Sequence, residues 1–338
     1  MTIRTQVQKS DLHDLAKPMA MMIRALGASL AILGAGLAHA QTYPSKPVTI
    51  IVPFAVGSAA DQVARGVAQI LSAGLPNNPT VVIDNKPGAS GMIAAQAAAR
   101  AAADGHTLFY TTNTTQSANQ HLFKKLSYDP VNDFAPITAI ATGAMILAVP
   151  MTSPVKSMAD FISLARRRDV NYGAGNSSSR VAGEMFRQMT GTNLTFVPYK
   201  SNPQAIADLV GGQLDAMFAD TASAMALIKA DKLRPIAFTG SQRTPSFPNL
   251  PTIDELGIKG YSLTYWGAMY APRGAPREII QLLNALIVQG VKSEQFKAVI
   301  SNAALDVFTS TPEELGAFQV AEAQRWGRVI KAAGIEPE

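Results

Sequence analysis

Residues Val48 to Asp61 read VTIIVPFAVGSAAD, a β-branched run that turns through small residues into a stretch with Val63, Val67, Ile70 and Leu71 on one helical face. Strand, short loop and helix open a β-α unit, and a chain that repeats the unit folds as a mostly parallel sheet flanked by helices. The repeat follows at once. TVVIDN (Thr80 to Asn85), the turn KPGASG and an alanine-rich helix to Ala103 make a second unit, and HTLFYTTN (His106 to Asn113) a third strand. Beyond the turn-rich LSYDPVND come two further strands, APITAIA and MILAVP, where a second series begins. It holds a helix with Met158, Phe161, Ile162 and Ala165 at i, i+3, i+4 and i+7, then VNYGAG, a serine-started helix and LTFVPY. A helix over Ala205, Ile206, Leu209 and Val210, the strand DAMFAD, a helix to Asp231 and LRPIAFTG complete it. The remainder supplies YSLTYWGAMYAP, a helix over Ile279 to Val291, LDVFT and a last helix with Trp326, Val329, Ile330 and Ala333 on one face. Such C-terminal helices return to pack on the first lobe. An α/β protein of two lobes with a cleft between them is expected: lobe 1 from residues 41–142 and 264–338, lobe 2 from residues 143–263.

Composition narrows the function. Of 338 residues, 47% are hydrophobic and 16% charged, enough for a sizeable core and too few charges for disorder. The 29 basic and 24 acidic residues give +5, and four of those bases and two of the acids fall in the first 40 residues. A remainder near neutrality, with no basic run longer than Arg166-Arg167-Arg168, argues against nucleic acid. The absence of cysteine excludes disulfides, thiolate catalysis and iron–sulfur clusters. His106 and His121, the histidines after residue 40, have no acidic or histidine partner at metal spacing, so no metal and no cofactor is expected. No G-x-S-x-G elbow occurs, and Gly173-Ala174-Gly175 has Ser178 where a dinucleotide fingerprint needs its third glycine.

At the N-terminus, Lys17 and Arg24 precede the apolar stretch Ala25 to Leu37, followed by Ala38-His39-Ala40. Basic flank, short apolar segment and A-x-A ending describe a secretory signal cut near Ala40. The stretch is shorter than the ~20 residues that span a bilayer. The mature chain, from about Gln41, is expected in an exported compartment.

Two strand-loop-helix junctions, one in each series, concentrate small polar residues: Pro53 to Asp61 and Tyr172 to Arg180. The first amide hydrogens of a helix lack intrahelical acceptors, so such junctions can donate to an anion with the help of the dipole. Gly57, Gly173 and Gly175 permit tight turns, Ser58, Ser177, Ser178 and Ser179 add hydroxyls, and Arg180 adds a full charge. The bland reading is that the serines only cap helices. Four charge-assisted hydrogen bonds, at about 1.5–3 kcal/mol each, bracket the ~8 kcal/mol of micromolar affinity. Asp61 reads either as a first-turn acid or as a positioner of its loop. Thr111, Thr112 and Asn113 either line the cleft or form a turn, and Asp220 either caps a helix or holds a ligand or its waters. Tyr199 can offer its hydroxyl to the cleft. Trp266 and the thirteen methionines read as core.

The whole mature chain resembles the tripartite tricarboxylate transporter substrate-binding proteins, also called the Bug or TctC family. The resemblance is carried by YPSKPVTIIVPF, IDNKPGASG, ADGHTL, SYDPVNDFAPI, NYGAGNSS, VPYKS, LVGGQLDAMFAD, RTPSFPNLPTIDELG and RWGRVIKAAGIEPE, in order along the sequence. It implies a type II periplasmic-binding-protein fold that closes on a small organic carboxylate and delivers it to a two-subunit inner-membrane permease. It further implies a carboxylate grip at Phe54, Ala55, Val56, Gly57, Ser58, Ala59 and Asp61, opposed by Gly175, Asn176, Ser177, Ser178, Ser179 and Arg180, through backbone amides and ordered water. Two departures from the family pattern stand out: Val56 and Gly57-Ser58 replace a proline and a glycine pair, and the second loop is about two residues shorter, with Arg180 near a frequent histidine. Arg180 either pairs with the ligand or points to solvent. A periplasmic monomer is expected, with no catalytic residue. The alternative is a periplasmic sensor that signals to a membrane kinase; a hydrolase lacks any nucleophile-base set.

Overall fold

The structure, a computed structural model, describes residues 43–338; the expected signal segment and its cut near Ala40 lie outside the described residues. Strand β1 (Val48–Val52) lies between β2 (Val81–Asn85) and β3 (Thr107–Thr112), parallel to both. The crossovers are α1 (Ala59–Gly74) and α2 (Met92–Ala99). Helix α1 forms where the sequence places it because Ser58 caps it, its side chain accepting the Asp61 N–H at 3.2 Å. Its Val63, Val67 and Leu71 are fully buried, worth about 1.5–3 kcal/mol each.

After a π turn and α3 (Asn119–Leu122), the chain enters β4 (Phe134–Pro150), a strand of 17 residues. Helix α4 (Met158–Arg167) then leads to β5 (Val170–Ala174), which lies parallel to β6 (Leu194–Pro198) and β7 (Ala216–Asp220). Helices α5 (Ser177–Thr190) and α6 (Asn202–Val210) connect these three, and α7 (Thr221–Lys229) leads to β8 (Leu233–Phe238). Strand β9 (Thr264–Pro272), α8 (Arg277–Gly290), α9 (Glu294–Asn302), the short β10 (Asp306–Val307) and α10 (Pro312–Ala332) finish the chain. The strand order is β2-β1-β3-β9-β4-β7-β5-β6, with β8 and β10 also on β4.

Both β-α series are parallel, as their spacing predicts. The strands that join them are not: β9 runs antiparallel to β3 and β4, and β4 antiparallel to β7 and β8, so the complete sheet is mixed. APITAIA and MILAVP, expected as two strands, are one. Thr142-Gly143-Ala144 between them reads as a break, but a Cβ at Gly143 would collide with Leu305, so this glycine serves close packing inside a continuous strand. The first part of β4, Phe134 to Ala144, pairs with β9, and the last part, Met145 to Pro150, with β7 and β8.

Each sheet segment has its own core. Phe109, Phe134, Trp266 and Tyr270 lie in the first, and Leu209, Met217 and Phe238 in the second. The last helix returns to the first segment, as expected, and the Trp266 indole N–H donates to Glu322 of α10 at 3.0 Å. Where the chain passes between segments, one buried threonine ties both passages: Thr239 Oγ1 accepts the Met145 N–H at 2.7 Å and donates to the Leu263 carbonyl at 2.9 Å.

Candidate functional site

The loop after β1 is held from behind. Gly57 takes the left-handed φ of +82° that the turn into α1 requires. Its N–H donates to Asp61 Oδ2 at 3.0 Å, and Arg65 Nε donates to the same oxygen at 3.0 Å. Asp61 Oδ1 accepts from Asn85 Nδ2 at 3.1 Å, and that amide also donates to the Phe54 carbonyl at 2.9 Å. Asp61, only 2% exposed, is thus occupied on both oxygens and positions the loop. In front of it, Ala59 and Ala60 open α1; their amides have no intrahelical acceptor, and both residues line a cavity.

The junction after β5 faces the same cavity. Asn176 caps α5, accepting the Ser179 N–H at 2.8 Å. Behind it Asn202, at the start of α6, organises three partners: Oδ1 accepts the Gly175 N–H at 2.9 Å, while Nδ2 stands 3.1 Å from Ser179 Oγ and donates to Asp220 Oδ2 at 2.7 Å. Asp220 also caps α7 through Oδ1, which accepts the Ser223 N–H at 3.0 Å. Hydrogen bonds from each junction cross to the opposite sheet segment's surroundings. Ala55 N–H donates to Ser201 Oγ at 3.1 Å, Asn113 Nδ2 to Ser178 Oγ at 2.9 Å, and Ser177 Oγ to Asn119 Oδ1 at 2.9 Å.

The cavity between them measures about 30 Å³, room for two or three waters at ~10–15 Å³ each. Of the residues singled out in the sequence, Phe54, Ser58, Ala59, Thr112, Asn113, Asn176, Ser178 and Asp220 line it. The rest do not. Val56 is 65% exposed at the loop tip, Ala55, Ser177 and Ser179 are engaged as described, and Tyr199 donates its hydroxyl to Asp208 at 2.7 Å. Burial, and then the Asp208 carboxylate, push the Tyr199 pKa up to about 12. Arg180 does not point to solvent: its guanidinium reaches Glu338 Oε1 at 2.6 Å and lies 5.0 Å over the Phe196 ring. With Tyr199 and Gly175 it lines a neighbouring crevice, separated from the cavity by Asn176.

Sequence reading missed Tyr110, Thr114, Met145, Ser201, Asn202 and Tyr265, all in the wall. Ser201 and Asn202 carried a signal, a serine before a proline-containing helix start. Tyr265 carried none, because β9 enters from a distant part of the chain. Two of these groups bear directly on binding. Tyr265 Oη and Thr114 Oγ1, on residues of the cavity wall, are buried without a well-formed hydrogen bond, the Thr221 side chain being the hydroxyl neighbour of Tyr265. Burial, and then the charge of Asp220, push the Tyr265 pKa well up, so it stays a donor. Buried hydroxyls are ordinarily well paired; two that are not, in the wall of one cavity, mark a place where a guest's acceptors fit.

Two helix starts and hydroxyl-bearing side chains around one cavity, at the ends of α/β sheet strands, define a small-solute receptor. Comparison with known proteins agrees. Residues 60–335 match the family described as tripartite tricarboxylate transporter family receptor, and the chain belongs to that family. Protein BugT of Bordetella pertussis is 30% identical, over 94% of this chain and 99% of its own. Among solved structures, R. palustris Rpa4515 with adipate shares 35% identity at a TM-score of 0.84, covering 88% of this chain and 100% of that one. MatC (Rpa3494) from Rhodopseudomonas palustris with bound malate shares 28% at 0.79, covering 85% and 100%. Periplasmic binding protein BugD shares 30% at 0.82, covering 88% and 100%. A receptor family, not an enzyme family, is what the chain belongs to.

Proposed function

We propose that this protein captures a small organic carboxylate in the cavity between the two sheet segments and hands it to a two-subunit tripartite tricarboxylate-type permease. The observation that carries the reading is the convergence of the α1 and α5 starts on one cavity whose wall also contains Tyr265 and Thr114, with hydroxyls that lack a well-formed hydrogen bond. Helix starts bring unpaired amides and a favourable dipole to a carboxylate; the hydroxyls complete its shell. Adipate and malate, bound by relatives, belong to the proposed class. Residues 41–142 with 264–338, and residues 143–263, act as lobes that part to admit the solute. The working place is the periplasm, reached through a signal cut near Ala40, and the working form is a monomer.

Calorimetry and thermal melting with a panel of small mono- and dicarboxylates test this on protein first stripped of carried-over solute. A ligand at one hundred times its Kd stabilises by about 2.7 kcal/mol, a clear melting shift. A panel that gives neither heat nor shift removes carboxylate capture. Co-purification with the two subunits of a tripartite tricarboxylate-type permease tests delivery.

A further inference from the structure

Charge is distributed oddly for an anion site. Among the described residues that line the cavity there is no lysine, arginine or histidine, and Asp220 is the one residue with a formal charge. The cations nearest in sequence to the two junctions are engaged elsewhere, Arg65 by Asp61 and Arg180 by Glu338. The anion-binding capacity of the cavity therefore resides in neutral donors, the helix-start amides and the hydroxyls of Tyr265 and Thr114.

Asp220 is 3% exposed. Around it stand Met145 on β4, Asn202 on α6, Ser223 on α7 and Tyr265 on β9. Of these only Tyr265 titrates, and its burial keeps it protonated. Each Asp220 oxygen accepts one protein hydrogen bond, from Ser223 N–H and from Asn202 Nδ2, whereas a carboxylate has about four acceptor positions. A dianion here would place its second charge beside Asp220 with no cation to offset it, in surroundings where like charges interact strongly and an unpaired buried charge is costly.

We infer that the guest binds with a single negative charge: one carboxylate on the α1 and α5 starts, and a neutral second end that donates a hydrogen bond to Asp220. This rests on the reading of the cavity as a carboxylate site and names the subclass, a monoanion such as a half-amide, a hydroxy acid or a half-protonated diacid. Asp220 is then the residue that sorts guests by charge.

The test titrates matched pairs, adipate with adipamate and succinate with succinamate, into the wild-type protein by calorimetry between about pH 5 and 8. The half-amide of a pair is expected to bind at least about tenfold more tightly than its diacid near neutral pH. The diacid is expected to gain close to tenfold per unit of acidification above its second ionisation, taking up about one proton, while the half-amide stays flat. In Asp220→Asn the gap within the pair should shrink to about threefold or less, with melting recorded to confirm folding. If that variant does not fold, the wild-type proton uptake decides. A diacid bound as tightly as its half-amide, with no proton uptake, overturns the inference and leaves the carboxylate site standing. A gap unchanged in a folded Asp220→Asn variant overturns the role of Asp220. Silence from all four compounds fails the carboxylate reading and this inference together.

Discussion

Arg180 and Glu338 form an ion pair of 2.6 Å that ties the second sheet segment to the last residues of the chain. Glu338 is in turn fixed to the first segment's surroundings, its N–H donating to the Leu122 carbonyl and its own carbonyl accepting the Lys124 N–H. The Arg180 side chain is 16% exposed and that of Glu338 59%, so water and salt reach the pair from one side. Glu338→Gln is expected to cost less than about 1 kcal/mol of stability, and less still in high salt. Arg180→Ala should cost more, because the stacking on Phe196 goes with it. Denaturant melts of both variants at low and high salt check the order.

Tyr265→Phe separates binding from folding. The hydroxyl it removes makes no well-formed hydrogen bond and has only the Thr221 side chain beside it, so stability should change by less than about 1 kcal/mol, while affinity for the bound carboxylate should fall by roughly 1–2 kcal/mol. Equal affinity in wild type and variant would place the guest away from β9.

Asn202→Ala withdraws the buried partner of Gly175, Ser179 and Asp220 together. Leaving such groups unsatisfied costs about 1–3 kcal/mol apiece. Urea denaturation should show a loss of at least about 2 kcal/mol, with binding weakened as the α5 start loosens.

Asp104 sets a small acid sensitivity. Burial alone would raise its pKa, but the Lys46 ammonium at 2.8 Å and the His106 N–H at 3.0 Å outweigh it and hold the carboxyl at about 2. The folded value lies below the unfolded one, so the stabilisation is present above about pH 4 and is lost as pH falls toward 2. The side chain is 40% exposed, which keeps the effect under about 1 kcal/mol. Asp104→Asn should therefore differ from wild type in urea midpoint at pH 7 and converge with it by about pH 2.

Period and spacing announce the β-α units, because burial on one face of α1 needs Val63, Val67 and Leu71 where they stand. The same logic places both junctions, whose small residues are a local requirement of turning a strand into a capped helix. What local pattern does not contain is partnership across the chain. Nothing near Gly143 announces that Leu305 will pack on it, so a continuous strand reads as two. Nothing near Arg180 announces Glu338, 158 positions away, and Tyr265 reaches the cavity wall only because β9 inserts between β3 and β4.

The length of β4 has a consequence for how the protein melts. One strand supplies hydrogen-bond partners to β9 in one segment and to β7 and β8 in the other. Neither half can lose its order without stripping rungs from the ladder that anchors the other. Heat or urea should therefore take the chain apart in a single cooperative transition, with one calorimetric peak where two independent bodies would give two.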